Sequence, residues 1–417
     1  MSDSKSVRVP QLAWSGDKTA ELTFPENWDV IPCRMQGYRA RKLTDAGFRK
    51  AFANPIGTRP IREMARGKKR VVILFDDLSR PTKAYQIVPY VIEELLAGGV
   101  EEDNIQFICA LGTHGAIQAD DFRKKLGTKV VENFRVFNHN PYEHCAYLGR
   151  TRRGTPVHIN TEFMNADLKI GIGCLVPHPM VGFGGGAKII LPGVSSIETI
   201  EYNHHTVTDK AQETGIEANR GMGRNVDNAT LLDIQDTCRM AGLDVKVDAI
   251  VNEKRDTTAL YVGEPIAEYD EGVKLARKHY LSPKPDGAEV IVANANAKVN
   301  ECSIAAGTAQ SLVPESGATI VLYSNNPYGE VQHYLYRKWG ENVGSRRFRN
   351  RRLAPNVKKF IFLMPYMDKT SADWIAPLEQ ITWAKTWDQV IDMLKKDYPD
   401  GAKVGVIPDG TIQYFGL

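Results

Sequence analysis

Residues 70–82 read RVVILFDDLSRPT: five consecutive apolar residues after Arg70, running into a polar turn that ends Arg80-Pro81-Thr82. A short β-branched and aromatic run cut off by a turn signal reads as a buried strand. Residues 83–97 then carry a helical pattern, closed by Gly98 and Gly99 as a C-terminal cap. The same alternation continues along the chain. Residues 104–110 (NIQFICA) and 167–174 (DLKIGIGC) read as strands, 230–241 as a helix, 245–251 as a strand and 265–280 as a helix. Strand and helix in regular succession predict βαβ units and a mostly parallel sheet.

Residues 281–287 (LSPKPDG) break the pattern with proline and polar residues, as a linker would. Beyond them 289–293, 319–323 and 359–363 read as strands, 387–398 as a helix and 403–407 as a last strand. The expectation is an α/β protein: two α/β domains with mostly parallel sheets and the active site in the cleft between them. The larger domain, 1–280, would carry catalysis and cofactor binding, and 288–417 would form the smaller one. The first fifty residues leave their pairing open, and there is no internal repeat.

Composition narrows the function classes. The 417 residues hold 53 Lys and Arg against 50 Asp and Glu, a formal net charge of +3, which argues against a general nucleic-acid binder. Apolar residues at 42% and charged residues at 25% are those of a folded globular protein. Six scattered cysteines without a C-x-x-C pair read as reduced, mostly buried thiols. The polar start MSDSKSVRVPQLAW does not read as a secretory signal, and no apolar run is long enough for a membrane span, so a cytoplasmic location is expected. The dense basic run Arg346, Arg347, Arg349, Arg351 and Arg352 reads first as a solvated face; gripping an anion or a neighbouring subunit of a homo-oligomer is the other reading.

Three segments place reactive groups after strands, where open α/β sheets bind ligands. The first is Asp76-Asp77-Leu78-Ser79-Arg80-Pro81-Thr82. Its acid and guanidinium could orient a small carboxylate or sugar-like substrate, and its bland reading is an Asp-capped helix start. The second is Gly112-Thr113-His114-Gly115, whose imidazole suits proton transfer near neutral pH. The third runs from His178 through Gly182, Gly184, Gly185 and Gly186 to Lys188, then Pro192-Gly193 and Asn203-His204-His205. Its glycines let backbone amides approach a bound group, so a nucleotide- or phosphate-binding enzyme using this loop as an anion cradle is one reading. A Walker loop needs Ser or Thr after the lysine, whereas Ile189 follows Lys188. A dinucleotide fingerprint needs a long helix directly afterwards, and Pro192-Gly193 interrupts one. The remaining histidines, 139, 144, 158, 279 and 333, read as background.

Taken together the segments resemble the lactate racemase family of nickel-pincer-nucleotide enzymes. The resemblance rests on D-x-[TS]-R-P-T at Asp77–Thr82, G-T-H at Gly112–His114, the H-x9-K segment with its glycine triplet at His178–Lys188, L-P-G at Leu191–Gly193 and N-H at Asn203-His204. It covers most of the chain and is densest between residues 70 and 205. It implies a racemase or epimerase of a 2-hydroxy acid working by reversible hydride transfer from C2. Its cofactor would be a nickel-pincer nucleotide, of the pyridinium-3,5-bisthiocarboxylic acid mononucleotide type with Ni. Lys188 would bind it covalently, His204 would ligate nickel, and Gly184, Gly185 and Gly186 would approach it. His114 and His178 would be the acid–base pair, with Asp77 and Arg80 positioning substrate and histidines. Enzymes that build the cofactor would be partners; nucleic acid and membrane would not. One element departs: where lactate-acting members carry D-x-Y-Q-x-x-K, this chain has Asn300–Ala306, with Ser303 and Ala306 at the Gln and Lys positions. The resemblance therefore implies an acid other than lactate, with Lys298 as a nearby replacement charge.

Overall fold

The computed structural model describes residues 5–335 and 352–416. Arg346, Arg347, Arg349 and Arg351 of the basic run lie outside them. Among the described residues, eighteen strands, numbered along the chain, divide between two compact units.

One unit is built from residues 5–39, 279–331 and 352–416. It contains β1 (Lys5–Gln11), β2 (Lys18–Phe24), β3 (Asp29–Pro32), β14 (Val290–Ala295), β15 (Ala318–Ser324), β16 (Val357–Leu363), β17 (Ile381–Ala384) and β18 (Lys403–Ile407). Its six-stranded sheet has the order β17-β16-β15-β14-β18-β3 and is parallel throughout. Both faces of β14 and β15 are buried, which explains their unbroken apolar runs. The N-terminal residues thus find their place: β1 and β2 form an antiparallel hairpin whose Val7, Val9, Leu22 and Phe24 join Val290, Val292 and Val321 in one core. The helix Trp387–Asp397 starts at Thr386, whose side chain accepts the Gln389 amide, and buries Val390 and Leu394 in that core.

The other unit holds residues 40–278 and 332–335. Its strands are β4 (Val71–Phe75), β5 (Ile105–Cys109), β6 (Arg135–Asn138), β7 (Cys145–Arg150), β8 (Pro156–Asn160), β9 (Leu168–Cys174), β10 (Pro177–His178), β11 (Gly182–Phe183), β12 (Val245–Val251) and β13 (Thr257–Gly263). The main sheet runs β13-β12-β9-β4-β5-β6, parallel except for the antiparallel edge strand β13. All five residues of β4 are buried at the sheet's centre, as the RVVILF run predicts. The helix expected over 83–97 begins later: a 3-10 turn at Ala84–Gln86 precedes the α-helix Val88–Ala97, with Pro89 in its first turn. Gly98 and Gly99 do close it, Gly99 taking the left-handed conformation at φ +88°.

From β4 the chain moves outward to β5 and β6, then returns to the other side of β4 with β9. The order reverses between β4 and β9, and the loops at their carboxyl ends open at that switch point, where sheets of this kind form a crevice. The fold is therefore the expected mixed α/β class with mostly parallel sheets.

Candidate active site

The turn after β4 is held by side chains. Asp76, buried, pairs with the fully buried Lys125 at 2.6 Å and accepts the Thr82 hydroxyl at 2.7 Å. Burial pushes the Asp76 carboxyl up, against the pull of Lys125. Lys125 also donates to the carbonyls of Asp77 (2.9 Å) and Arg80 (3.0 Å), tying both ends of the turn to one ammonium. Neither acid caps a helix, because the chain after Asp77 turns sharply and Thr82 folds back; the helix-cap reading is replaced by this network.

Asp77, 4% exposed, faces the loop after β5. Its Oδ2 lies 2.8 Å from His114 Nδ1, and its Oδ1 accepts the Ser79 amide (3.1 Å) and hydroxyl. Burial alone would raise this carboxyl, but His114, Arg80 and Ser79 outweigh it and hold Asp77 well below the usual carboxylate range. An ionised carboxylate can only accept a hydrogen bond, so Nδ1–H donates to Asp77 and the neutral ring of His114 is the Nδ1–H tautomer with Nε2 as the acceptor nitrogen. Arg80 is half-buried and donates to the Ser79 carbonyl (2.8 Å) and hydroxyl (2.9 Å).

The loop bearing His114 is joined to the lysine loop through its backbone. The Gly112 amide donates to the Gly193 carbonyl at 2.9 Å, and a side chain at Gly112 would meet Pro192 at 2.9 Å. Gly193 in turn leaves no room for a Cβ, which would lie 1.9 Å from the Ile189 carbonyl oxygen, and its amide donates to the Lys188 carbonyl at 3.3 Å. L-P-G and G-T-H are thus two halves of one junction.

His178 sits on the two-residue hairpin of β10 and β11, opposite Gly182. The Met180 amide donates to His178 Nδ1 at 3.2 Å, which makes this ring the Nε2–H tautomer. Gly182 has φ +78° and packs on the backbone of Arg224 and Asn225, while Asn228 Nδ2 donates to the Met180 carbonyl at 2.8 Å. The hairpin is gripped by backbone contacts.

Gly184 donates its amide to the Val176 carbonyl (2.7 Å), and Gly186 donates its amide to Asp248 Oδ2 (2.5 Å). Two of the three glycine amides are thus occupied inside the protein, which weakens the anion-cradle reading. Lys188 is half-buried on the 3-10 turn Gly186–Ile189 that follows. His204 is buried on a π-helical turn, Tyr202–Val207, where Asn203 anchors the backbone through Asp233 Oδ2 at 2.8 Å. Both turns pack against the helix Ala229–Ala241. Among the described residues no three His, Cys, Asp or Glu side chains group to hold a metal ion. A metal here would draw one nitrogen from His204 and its other donors from a bound group, which suits a cofactor that brings its own ligands.

His333, dismissed on sequence as background, belongs beside His114. Their rings meet edge to face with centroids 5.2 Å apart, Thr113 Oγ1 lies 3.1 Å from His333 Nε2, and the Tyr334 amide donates to the Thr113 carbonyl at 2.7 Å. No local signal marks this residue. Lys246 and Asp248 were also missed, although two charged residues at i and i+2 share one face of the otherwise apolar β12. In the other unit Ser303 opens the helix Ser303–Gln310, where Ala306 is buried, and Lys298 is fully buried.

Residues 15–215 match the family model of the lactate racemase N-terminal domain. The chain is 22% identical over 409 residues to a lactate racemase of Thermoanaerobacterium thermosaccharolyticum, covering 92% of this chain and 93% of that one. It is 24% identical over 384 residues to a lactate racemase of Lactiplantibacillus plantarum, covering 87% and 88%. Among solved structures, the lactate racemase apoprotein from T. thermosaccharolyticum superposes with a TM-score of 0.73 at 19% identity, over 99% of this chain and 100% of that one. A Thermotoga maritima protein superposes with a TM-score of 0.63 at 17% identity, over 85% and 97%.

Proposed function

We propose that this chain, whose residues 15–215 match the lactate racemase N-terminal domain and which is 22% and 24% identical to two lactate racemases, is an isomerase that inverts the hydroxyl-bearing carbon of a small 2-hydroxy acid. The observation that carries the reading is the pair of complementary imidazoles. His114, backed by Asp77 at 2.8 Å, offers an unprotonated Nε2, whereas His178, with Nδ1 accepting the Met180 amide, offers Nε2–H. Two enantiomers present their hydroxyls on opposite sides, so inversion needs one base and one donor that exchange roles.

His114 takes the hydroxyl proton at Nε2, and Asp77 stabilises the imidazolium that results. His178 donates to the substrate oxygen in its resting tautomer. To deliver a whole proton it must first take one from solvent at Nδ1 and become imidazolium, which ends the Met180 hydrogen bond. Arg80, held on Ser79 beside Asp77, is the cation that suits the substrate carboxylate.

Lys188 and His204 fit the nickel-pincer nucleotide, the first as covalent attachment and the second as nickel ligand. When bound, that group would supply the acceptor for the hydrogen leaving C2 and return it to either face. Ala306 and Ser303 in place of a cationic and an amide side chain favour an acid larger than lactate or richer in hydroxyls.

The test is production of the protein with nickel and the cofactor-building enzymes, followed by intact mass and a panel of single-enantiomer aldonic, aromatic and dicarboxylic hydroxy acids. The expected result is a mass increment at Lys188 and loss of optical rotation for at least one acid, absent in His114→Ala. An unmodified lysine with no turnover on any acid sinks the proposal. Stabilisation by ATP or a dinucleotide without nickel would favour the anion-cradle alternative.

A further inference from the structure

Under the glycine-rich loop lies a group of buried charges that the chemistry above does not use. Lys246, Asp248 and Glu268 are all fully buried, the first two on β12 and the third on the helix Ala267–His279. Lys246 donates to Asp248 Oδ1 and to the Val247 carbonyl. The other oxygen, Oδ2, accepts the Gly186 amide, the first residue of the turn that carries Lys188. Gly185, at φ +96°, leaves that oxygen its space: a Cβ there would sit 2.7 Å from it. Tyr269 closes the far side, its hydroxyl donating to the Phe183 carbonyl at 3.1 Å.

Glu268 is the odd member. Neither of its oxygens receives a hydrogen bond. Lys125 pairs with Asp76 and Lys246 with Asp248, so both buried ammonium groups already serve another carboxylate. An uncompensated buried carboxylate is costly and takes a proton instead. In that form Glu268 has one hydrogen to give, and Asp248 is the neighbouring carboxylate whose charge favours keeping it. Burial, then Asp248, push its carboxyl well above the usual range, against Lys246. The other titratable groups around it are Glu264 and Tyr269 on its own segment, Tyr261 on β13 and Cys238 on the helix Ala229–Ala241.

We propose that Asp248 is a positioning residue for Lys188: its carboxylate, oriented by Lys246 and by a hydrogen bond from Glu268, fixes the Gly186 amide and so the turn that presents the lysine to the cofactor. The importance of Lys188 rests on the function proposed above; the hydrogen-bond device does not. A space lined by Lys246 Nζ, Asp248 Oδ1 and Asp76 Oδ2, each within 3.5 Å of where a side chain on Gly173 would begin, brings this cluster up to the turn that holds Asp77.

The test replaces the ion pair as a unit, Lys246→Met with Asp248→Leu, so that no lone charge is left buried. Amide hydrogen exchange of the cofactor-free protein should rise at least tenfold at Gly186 with the rest of the β12 sheet protected, and cofactor mass at Lys188 after co-production should fall at least tenfold. Unchanged exchange at Gly186 overturns the proposal. Should that variant not fold, Glu268→Gln against Glu268→Leu decides: glutamine keeps a donor and should match wild type within twofold, leucine should not, and equal behaviour overturns it. Glu268→Gln also has a pH signature. A raised carboxyl costs the folded state more as pH climbs above the unfolded value near 4, so the Tm of Glu268→Gln should gain on wild type from about pH 4 upward. Should wild type itself never load at Lys188, the function above fails, and the exchange data still judge the device.

Discussion

The two histidine loops solve one problem by different means. His114 is oriented by side chains: a buried carboxylate at 2.8 Å, a serine hydroxyl at 3.2 Å and a second imidazole against its ring. His178 is oriented by backbone: a two-residue hairpin, an amide on Nδ1 and a glycine packed on the chain of Arg224 and Asn225. Charge fixes the first tautomer and conformation fixes the second. Removing the carboxylate behind the ring should therefore damage the first loop alone, and adding a Cβ at Gly182 the second.

The largest effect should come from Asp77→Asn. With an amide behind it the ring loses the partner that demands Nδ1–H, and comparable carboxylate losses behind a catalytic histidine reach about 10²–10⁴-fold in kcat. Initial rates of racemisation by the loaded enzyme measure it, and a drop under threefold would break the comparison. The same variant carries a pH signature. Asp77 is held low, so its stabilisation is complete above about pH 4 and is lost as pH falls through its folded value. The gap in stability between wild type and Asp77→Asn should shrink below about pH 4 in acid-melting curves.

Next is Gly182→Ala, whose Cβ would lie 2.4 Å from the Arg224 carbonyl carbon at a φ of +78°. The hairpin must open, with a loss on the order of 10²-fold in rate from a misplaced imidazole. Gly184→Ala, where the nearest atom would be 3.7 Å away, is the control for folding and should leave the Tm of the cofactor-free protein unchanged. His333→Ala should cost about two- to tenfold in kcat/KM, the worth of an edge-to-face ring contact, with Asp77 and His114 still coupled. Ser79→Ala leaves Asp77 Oδ1 the Ser79 amide and should be smallest, roughly two- to fivefold.

What the sequence revealed follows from range. β4, β5, β9 and β12 are buried runs bounded by turns, and they stand within one or two residues of where the pattern puts them. Asp29–Pro32 was unreadable because its four residues pair only with Lys403–Ile407, at the other end of the chain. Asp77 and His114 were visible as polar breaks after strands, and His178 and Lys188 as the two ends of a glycine-rich stretch. His333 was not, because its partner Thr113 is 220 residues away and nothing in its own segment points there. The buried ions were half legible: Lys246 and Asp248 interrupt an apolar strand, but Glu268 looks like any acid in a first helical turn.

The comparison rests on the two rings holding opposite tautomers, and imidazole nitrogen-15 NMR on the cofactor-free protein at neutral pH reads that directly. His114 should show a protonated Nδ1 and an unprotonated Nε2, and His178 the reverse, with His114 alone changing in Asp77→Asn. The same tautomer on both rings, or a His114 spectrum indifferent to Asp77, would contradict the account.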